Sequence, residues 1–558
     1  LDAGAAKQCF HIDLLTWAIF PRRNSPSEID CLTDPKIRRG SRPVQVRNAE
    51  LRPAFALRFC RRNRHRIEGN PLKKLYIDAS LPFRWGPHPP VGIPRVETAL
   101  VRQALRWRAS PVGFFIVDAH GLGRMLGEAE LRYLKRLVEG ELPQVVGEAE
   151  RPYLARLWKV LSILRDAPFD FGREFDRVAA IFVSGSEKRR GIKFQLSKTA
   201  IRVFKAAKSC LRARRTETKD PLKDDSAICF LSSASVHEIA AKKLAGNIGC
   251  RIFTIMHDLI PIDFPHFVGP HHARGFVRNT AWQLENSDLL VCVSKYTAGR
   301  VRCHARASNP DRVPEVAVAS PGAFLKEGLA DRLTRPERQN PSRKFVLYCS
   351  TIEIRKNHIL LLKVWHRLLP VLGDRLPTLV FCGRWGWMYD ELVAFMEANP
   401  QLRDRVQFRS NLADRQLAEL YRDAEFSVYP SAVEGWGLGA AECLDFGLPV
   451  LISDAPSLAE ATQGLMPTLP AHDVEAWCAA VAKACTDPGW LAELRATIAS
   501  RYRPIRERDF FTTIVGLAAL DCSDPGPMIR RPRRPATRTV SRAGDLVAEQ
   551  PAFRRAEP

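Results

Sequence analysis

No stretch of the chain reaches the roughly 18 consecutive apolar residues of a spanning helix, which argues against an integral membrane protein built of such helices. The stretch Leu14–Phe20 is too short and sits among polar and acidic residues, so no secretory signal is expected. The 14 cysteines are scattered singly, and no two stand at C-x-x-C spacing. That excludes a zinc ribbon or a compact disulfide framework and fits thiols kept reduced in a cytoplasm. No Asp-x-Asp pair occurs anywhere, so the simplest carboxylate pair for a hard divalent cation is missing.

What the chain does have is ordinary globular material: 558 residues, 46% hydrophobic and 26% charged, enough for several domain-sized cores. Its net charge of +24 first suggests nucleic acid or an anionic membrane surface. The excess is localised, however. Residues 1–74, 187–225 and 522–558 supply 21 of the 24 charges, and the remaining body is close to neutral. Residues 1–73, with Arg-rich runs such as Arg61–Arg66 and no sustained period, read as a disordered extension. Residues 187–225 read as a basic insertion. Within it Phe194, Ile201, Phe204 and Leu211 form a stripe at helical spacing, either packed on its own domain or docked on a membrane surface. Residues 521–558 read as a Pro/Arg-rich tail.

Between these segments, short apolar runs alternate with helical patterns. Lys74–Asp78, Phe114–Asp118, Ile228–Leu231, Ile252–Ile255 and Leu289–Val293 read as strands, with helices at Arg95–Trp107 and Val236–Ala245. A second series follows at Phe345–Cys349, Thr378–Cys382, Val406–Phe408, Phe426–Tyr429 and Val450–Ile452. The alternation predicts an α/β fold of two parallel-sheet domains with a cleft between them, at 74–325 and 344–520, joined by a polar linker at 326–343.

The densest chemistry lies in Tyr429–Val450, where a strand gives way to a loop with Gly435, Gly437 and Gly439 and then a short helix. Glycines at a helix start let backbone N–H groups approach a phosphate, and the helix dipole favours its charge. Two carboxylates, Glu434 and Glu442, bracket this loop. Carboxylates repel phosphate but accept hydrogen bonds from sugar hydroxyls. Phosphate in the middle with hydroxyls at both ends describes a nucleoside-diphosphate sugar.

This segment resembles the E-x7-E signature of the retaining family 4 glycosyltransferases, whose GT-B fold is two Rossmann-like domains facing across a cleft. The resemblance covers roughly residues 74–520 and is densest from 344 to 465. It implies that Glu434 contacts the donor sugar and Glu442 the ribose, with Gly435, Trp436, Gly437 and Leu438 lining the donor site. Cys349–His358 is similar to the family's strand and loop ending in Arg-Lys-Asn, which makes Lys356 the residue that neutralises the diphosphate, with Arg355 beside it. Phe381-Cys-Gly383 is similar to the turn under the nucleotide, and Asn411 falls where the base is held. Met256–Pro261 resembles a strand-end His-Asp segment, which places His257 opposite the donor sugar, with Ser294-Lys-Tyr296 downstream. Gly92-Ile-Pro-Arg95 resembles the glycine turn where acceptor and donor phosphate meet; Arg95 there serves either the phosphate or an ion pair. Two departures stand out. Gly439 replaces a common Pro, and Ser350 replaces a common Arg, which leaves more of the phosphate charge to Lys356 or to another cation.

The resemblance therefore implies metal-independent transfer of a sugar to a hydroxyl with retention of configuration, by front-face displacement and without a cofactor. The His-Asp-Leu-Ile-Pro and Ile-Glu-Ile-Arg-Lys-Asn segments most resemble bacterial mannosyltransferases of surface polysaccharide assembly. That points to GDP-mannose as donor, a saccharide or lipid-linked saccharide as acceptor, and a cytoplasmic enzyme peripheral to an anionic membrane. Two other readings stay open: a nucleotide-sugar epimerase on the same fold, and a nucleic-acid-binding protein suggested by the pI of about 9.7. The basic segments lack interleaved aromatics, so no nucleic-acid partner is expected.

Overall fold

The computed structural model describes residues 74–108, 111–117, 123–142, 220–241, 248–308, 314–329 and 344–523. The extension 1–73, most of the basic insertion with its 194–211 stripe, Asp118, residues 330–343 and the tail beyond 523 lie outside the described residues.

The N-terminal sheet contains β1 (Lys74–Asp78), β2 (Val112–Val117), β3 (Gly123–Met125), β4 (Ala227–Leu231), β5 (Arg251–Met256), β6 (Leu289–Cys292) and β7 (Glu315–Val318). Their order is β3-β2-β1-β4-β5-β6-β7, and only β3 runs antiparallel, against β2. The central strands carry continuous apolar runs because helices cover both faces: every residue of β4 and β6 is buried. The C-terminal sheet contains β8 (Phe345–Cys349), β9 (Thr378–Cys382), β10 (Val406–Arg409), β11 (Phe426–Tyr429), β12 (Val450–Ser453) and β13 (Thr468–Leu469). It is wholly parallel, in the order β10-β9-β8-β11-β12-β13. Both domains are Rossmann-like, and the GT-B arrangement expected from the sequence is the one found.

This strand order reverses direction between β8 and β11, and between β1 and β4. Ligands of open parallel sheets bind at that reversal, outside the carboxyl ends of the strands. The loops leaving β8 and β11 are the ones that carry Lys356 and Glu434. Fold and motif thus point to one place.

Eight helices matter for the site: α1 (Ser80–Trp85), α2 (Ile93–Arg106), α3 (Ser233–Ala241), α4 (Lys295–Ser308), α5 (His358–Leu372), α6 (Asp414–Asp423), α7 (Leu438–Asp445) and α8 (Glu507–Ser523). Gly92, at φ 58°, turns the chain into α2, and a proline in the first turn pre-sets the helical φ. Val96, Ala99, Leu100, Val101 and Ala104 then bury one face of α2.

The domain limits differ from expectation at both ends of the C-terminal domain. Residues 326–329 are not free linker. Leu325–Gly328 is helical, Leu325 and Leu329 join the C-terminal core, and Lys326 Nζ donates to the Asp445 carbonyl at 2.7 Å. Apolar residues four apart place both side chains on one face, a spacing too short to read as a period. At the other end, α8 leaves the C-terminal domain. Its Phe510, Phe511, Ile514, Val515 and Ala518 pack in the N-terminal core with Val96, Leu100 and Val101 of α2, and Arg102 pairs with Glu507. No helix among the described residues is long and apolar enough to cross a membrane.

Candidate active site

The carboxyl ends of the two sheets face a cleft of about 960 Å³, at the upper end of the range for small-molecule sites. Each of His257, Arg355, Lys356, Gly383, Glu434, Gly435, Trp436, Gly437, Leu438, Glu442, Gly92, Arg95 and Asn411 lines it. Residues separated by hundreds of positions in sequence thus line one cleft.

The β8 loop is held rigidly. Asn357 adopts a left-handed conformation at φ 57°, and its side-chain amide donates to the carbonyls of Pro430 and Ala471 at 3.2 and 2.8 Å. Tyr348 Oη donates to the Lys356 carbonyl at 2.7 Å. These bonds fix the backbone on which Arg355 and Lys356 sit. Arg355 Nη1 donates to Glu434 Oε2 at 2.9 Å, its Nε lies 2.6 Å from Glu353 Oε1, and Lys356 Nζ pairs with Glu434 Oε1.

This cluster sets the charge states. Burial alone would raise the Glu434 carboxyl, but the Lys356 ammonium and Arg355 guanidinium outweigh it and hold the group down at about 2. Burial and the neighbouring Arg355 lower the Lys356 ammonium, with Glu434 opposing. Glu434 is therefore an anion at neutral pH, held by two cations that line the same cleft.

Glu442, on α7, is buried and divided in its bonding. Its Oε2 accepts from Tyr421 Oη at 2.8 Å. Its Oε1 lies 3.4 Å from Arg95 Nε and has no hydrogen-bond partner. Burial pushes this carboxyl up to about 7 against the opposing pull of Arg95 and Tyr421. Arg95 itself is buried, and its Nη2 donates to Asp414 Oδ1 at 2.8 Å across the cleft. Arg95 thus forms ion pairs with Asp414 and Glu442, one of the two roles read for it.

The glycines serve close approach as much as phosphate. A Cβ on Gly435 would sit 2.1 Å from the His257 carbonyl oxygen and 2.9 Å from Asp258 Cβ. Ser294 Oγ and Thr297 Oγ1 donate to the Gly435 carbonyl at 2.7 and 3.2 Å. Glu460 receives the backbone N–H groups of Lys295 and Tyr296 at 2.7 and 2.8 Å. The 434–437 loop is thus bolted to the N-terminal domain at 257–258 and 294–297. Gly437 opens α7 at φ 109°. Gly439 stands where a Cβ would meet Tyr429 Oη at 1.9 Å, so Tyr429 occupies the space a proline ring would need. Gly383 lets the ends of β8 and β9 touch, its Cβ position being 1.9 Å from the Ser350 carbonyl.

Three cleft-lining side chains bury polar atoms with no hydrogen-bond partner: His257 Nε2, Trp436 Nε1 and Glu442 Oε1. A stranded buried polar atom costs about 1–3 kcal/mol, so a polar ligand that pairs with them gains that energy back. Further cations line the cleft where Ser350 offers none: Arg84, and Arg384, whose guanidinium lies 5.4 Å from the Trp85 ring centroid across the cleft. Sequence reasoning missed Tyr421, Asp414 and Arg384. Asp414 and Tyr421 both fall in Asp414–Ala424, which resembles the family's base-holding segment, without either being singled out there, and Arg384 had no signal. Among the described residues no cluster of three or more His, Cys, Asp or Glu is placed to hold a metal.

This two-domain α/β protein thus gathers cations, hydroxyl acceptors and a helix N-terminus in one cleft. Residues 331–503 match the family described as "Glycosyl transferases group 1", and this part of the chain is a domain of that family. The chain is 27% identical over 260 residues to the serotype-specific mannosyltransferase WbdA of Escherichia coli, covering 44% of this chain and 31% of that protein. It is 26% identical over 243 residues to the O-antigen chain mannosyltransferase B of Escherichia coli, covering 43% and 62%. The matches therefore span from about a third to less than two thirds of these relatives. Among solved structures, sucrose-phosphate synthase from Thermosynechococcus elongatus aligns over 81% of this chain and all of that one, with TM-score 0.48 and 15% identity. The family match supports neither the epimerase nor the nucleic-acid alternative.

Proposed function

We propose that the chain transfers a sugar from a nucleoside-diphosphate donor to a hydroxyl of a saccharide or lipid-linked saccharide, retaining the donor's anomeric configuration. The observation that carries this reading is the Arg355–Lys356–Glu434 cluster beside the partnerless polar atoms of His257, Trp436 and Glu442. The β-phosphate gains charge as the glycosidic bond breaks. Lys356 and Arg355, drawn from Glu434 towards it, stabilise that charge, and the first N–H groups of α7 point the same way. Glu434, released from one partner, accepts a donor-sugar hydroxyl, while His257 holds the sugar from the other domain. Glu442 Oε1 takes the ribose. Closing the two domains on the donor would exclude water, which favours transfer over hydrolysis.

The mannosyltransferase names of the relatives support GDP-mannose as the donor. We place the enzyme at the cytoplasmic face of an anionic membrane, to which its basic segments would adhere. No metal is needed in this scheme, because cationic side chains stand at the phosphate. With GDP-mannose and a mannose-terminated acceptor, transfer is expected to survive EDTA, and NMR of the product is expected to show an α-linkage. Activity lost to EDTA and restored by Mn²⁺, or a β-linked product, would overturn the assignment.

The ionisation of Glu442 gives a separate test. A carboxylate accepts ribose hydroxyls better than its protonated form does. GDP affinity should therefore weaken as pH falls through about 7. A charge-assisted hydrogen bond contributes about 1.5–3 kcal/mol, roughly a ten- to hundred-fold change in Kd. Calorimetry on Glu442→Gln, which has no such ionisation, should lose this component and keep only that of the phosphate.

A further inference from the structure

Glu97 lies on α2, two residues beyond Arg95, and was singled out by nothing in the sequence. It is buried, and its Oε1 accepts from both the backbone N and the hydroxyl of Ser233, at 3.0 and 2.7 Å, where α3 begins. Its Oε2 is buried without a hydrogen-bond partner. The His257 Nε2 atom stands 3.9 Å from Oε1 and is also buried without a partner. A carboxylate and an imidazole nitrogen are thus stranded side by side, one anchored by two hydrogen bonds and the other on a cleft-lining side chain.

At 3.9 Å a direct bond needs a small rotation, and a single water would also bridge the gap. In a neutral imidazole one nitrogen donates and the other accepts, and the partner of one decides the role of the other. We propose that Glu97 is a positioning residue for His257. Directly or through one water, it accepts the Nε2 proton, which fixes the ring orientation and the Nε2–H tautomer. Nδ1 is then left as an acceptor, the role that a donor-sugar hydroxyl requires. This last step rests on the sugar-transfer reading; the tautomer rests on the Glu97–His257 geometry alone.

Glu97→Gln discriminates because it leaves at the Ser233-held Oε1 position a neutral amide oxygen, a weaker acceptor than a carboxylate, and puts an NH₂ donor where the partnerless Oε2 stood. The nearby Asp258, with Arg95, Arg355, Lys356 and Glu434, is common to both proteins, so its influence cancels in the comparison. Nitrogen-15 NMR of histidine-labelled full-length protein, with His257→Gln for assignment, is expected to show the Nε2–H form in the wild type. In Glu97→Gln the Nδ1–H form should appear. Turnover should drop about ten-fold or more, while affinity for GDP, which lacks the donor sugar, stays unchanged. If Glu97→Gln does not fold, Ser233→Ala frees the carboxylate without removing it, and a partial shift of tautomer is expected. An unchanged His257 tautomer, or GDP affinity falling as far as turnover, overturns the proposal. A protein that transfers no sugar but still switches tautomer would refute the transfer reading while sustaining the Glu97–His257 pair.

Discussion

Lys356→Ala is expected to lower kcat with GDP-mannose by on the order of 10²-fold or more, with donor KM changing far less. The reason is timing: the charge on the departing phosphate is largest in the transition state, so a cation placed there contributes most at that moment. The variant also removes one of the two cations that hold the Glu434 carboxylate down at about 2, leaving Arg355 alone beside it. Lys356→Arg should recover part of the rate, since it restores charge without the compact geometry of an ammonium. Steady-state kinetics at saturating donor, with a thermal melt to show an intact fold, is the measurement. Wild-type kcat in Lys356→Ala would place the leaving group elsewhere in the cleft.

Gly435→Ala is expected to be nearly as damaging for a different reason. Its methyl group would fall 2.1 Å from the His257 carbonyl oxygen, a backbone atom that cannot rotate aside. Either the 434–437 loop withdraws or the domains part, and both movements separate Glu434 from His257. A misplacement near 1 Å can cost about 10² in rate, so kcat/KM should fall by that order. The strain should also lower stability by about 1–3 kcal/mol. Small-angle scattering would show whether the particle has widened. A variant with normal kinetics would mean that the loop is not held where the hydrogen bonds from Ser294 and Thr297 put it.

Much of the scaffold was legible because buried parallel strands are apolar throughout. β1, β8, β9 and β11 occupy the segments read from the sequence, residue for residue. The strands not foreseen are those without such a run: β3 and β13, of three and two residues, and β7, which is nowhere fully buried. At the site, the sequence named the residues that meet but not what they meet. Arg95 and Asp414 are 319 positions apart, and no local pattern foretells their 2.8 Å contact. Gly435 read as a phosphate glycine, whereas its clearest physical demand is the carbonyl of another domain. Glu97 was invisible because a carboxylate on an amphipathic helix ordinarily faces water; only its burial against Ser233 and His257 sets it apart.

The return of α8 to the N-terminal domain has a mechanical consequence. The polypeptide crosses between the domains twice, once between Val318, the end of β7, and Leu325, which joins the C-terminal core, and once just before Glu507, so the two bodies are joined by a pair of straps rather than one. The two crossings lie side by side, a Cβ on Gly322 falling 1.8 Å from the Ile505 carbonyl oxygen, so they act as one double-stranded hinge rather than as two separate tethers. Swinging the domains apart about that hinge would break the Arg95–Asp414 bond, the Arg384–Trp85 contact and the hydrogen bonds that hold the 434–437 loop to Ser294 and Thr297. For the same reason, a chain cut after the family-matched segment at 503 would strip Phe510, Phe511, Ile514 and Val515 from the opposite domain's interior, and the part that lost its solubility would be the half left untouched by the cut.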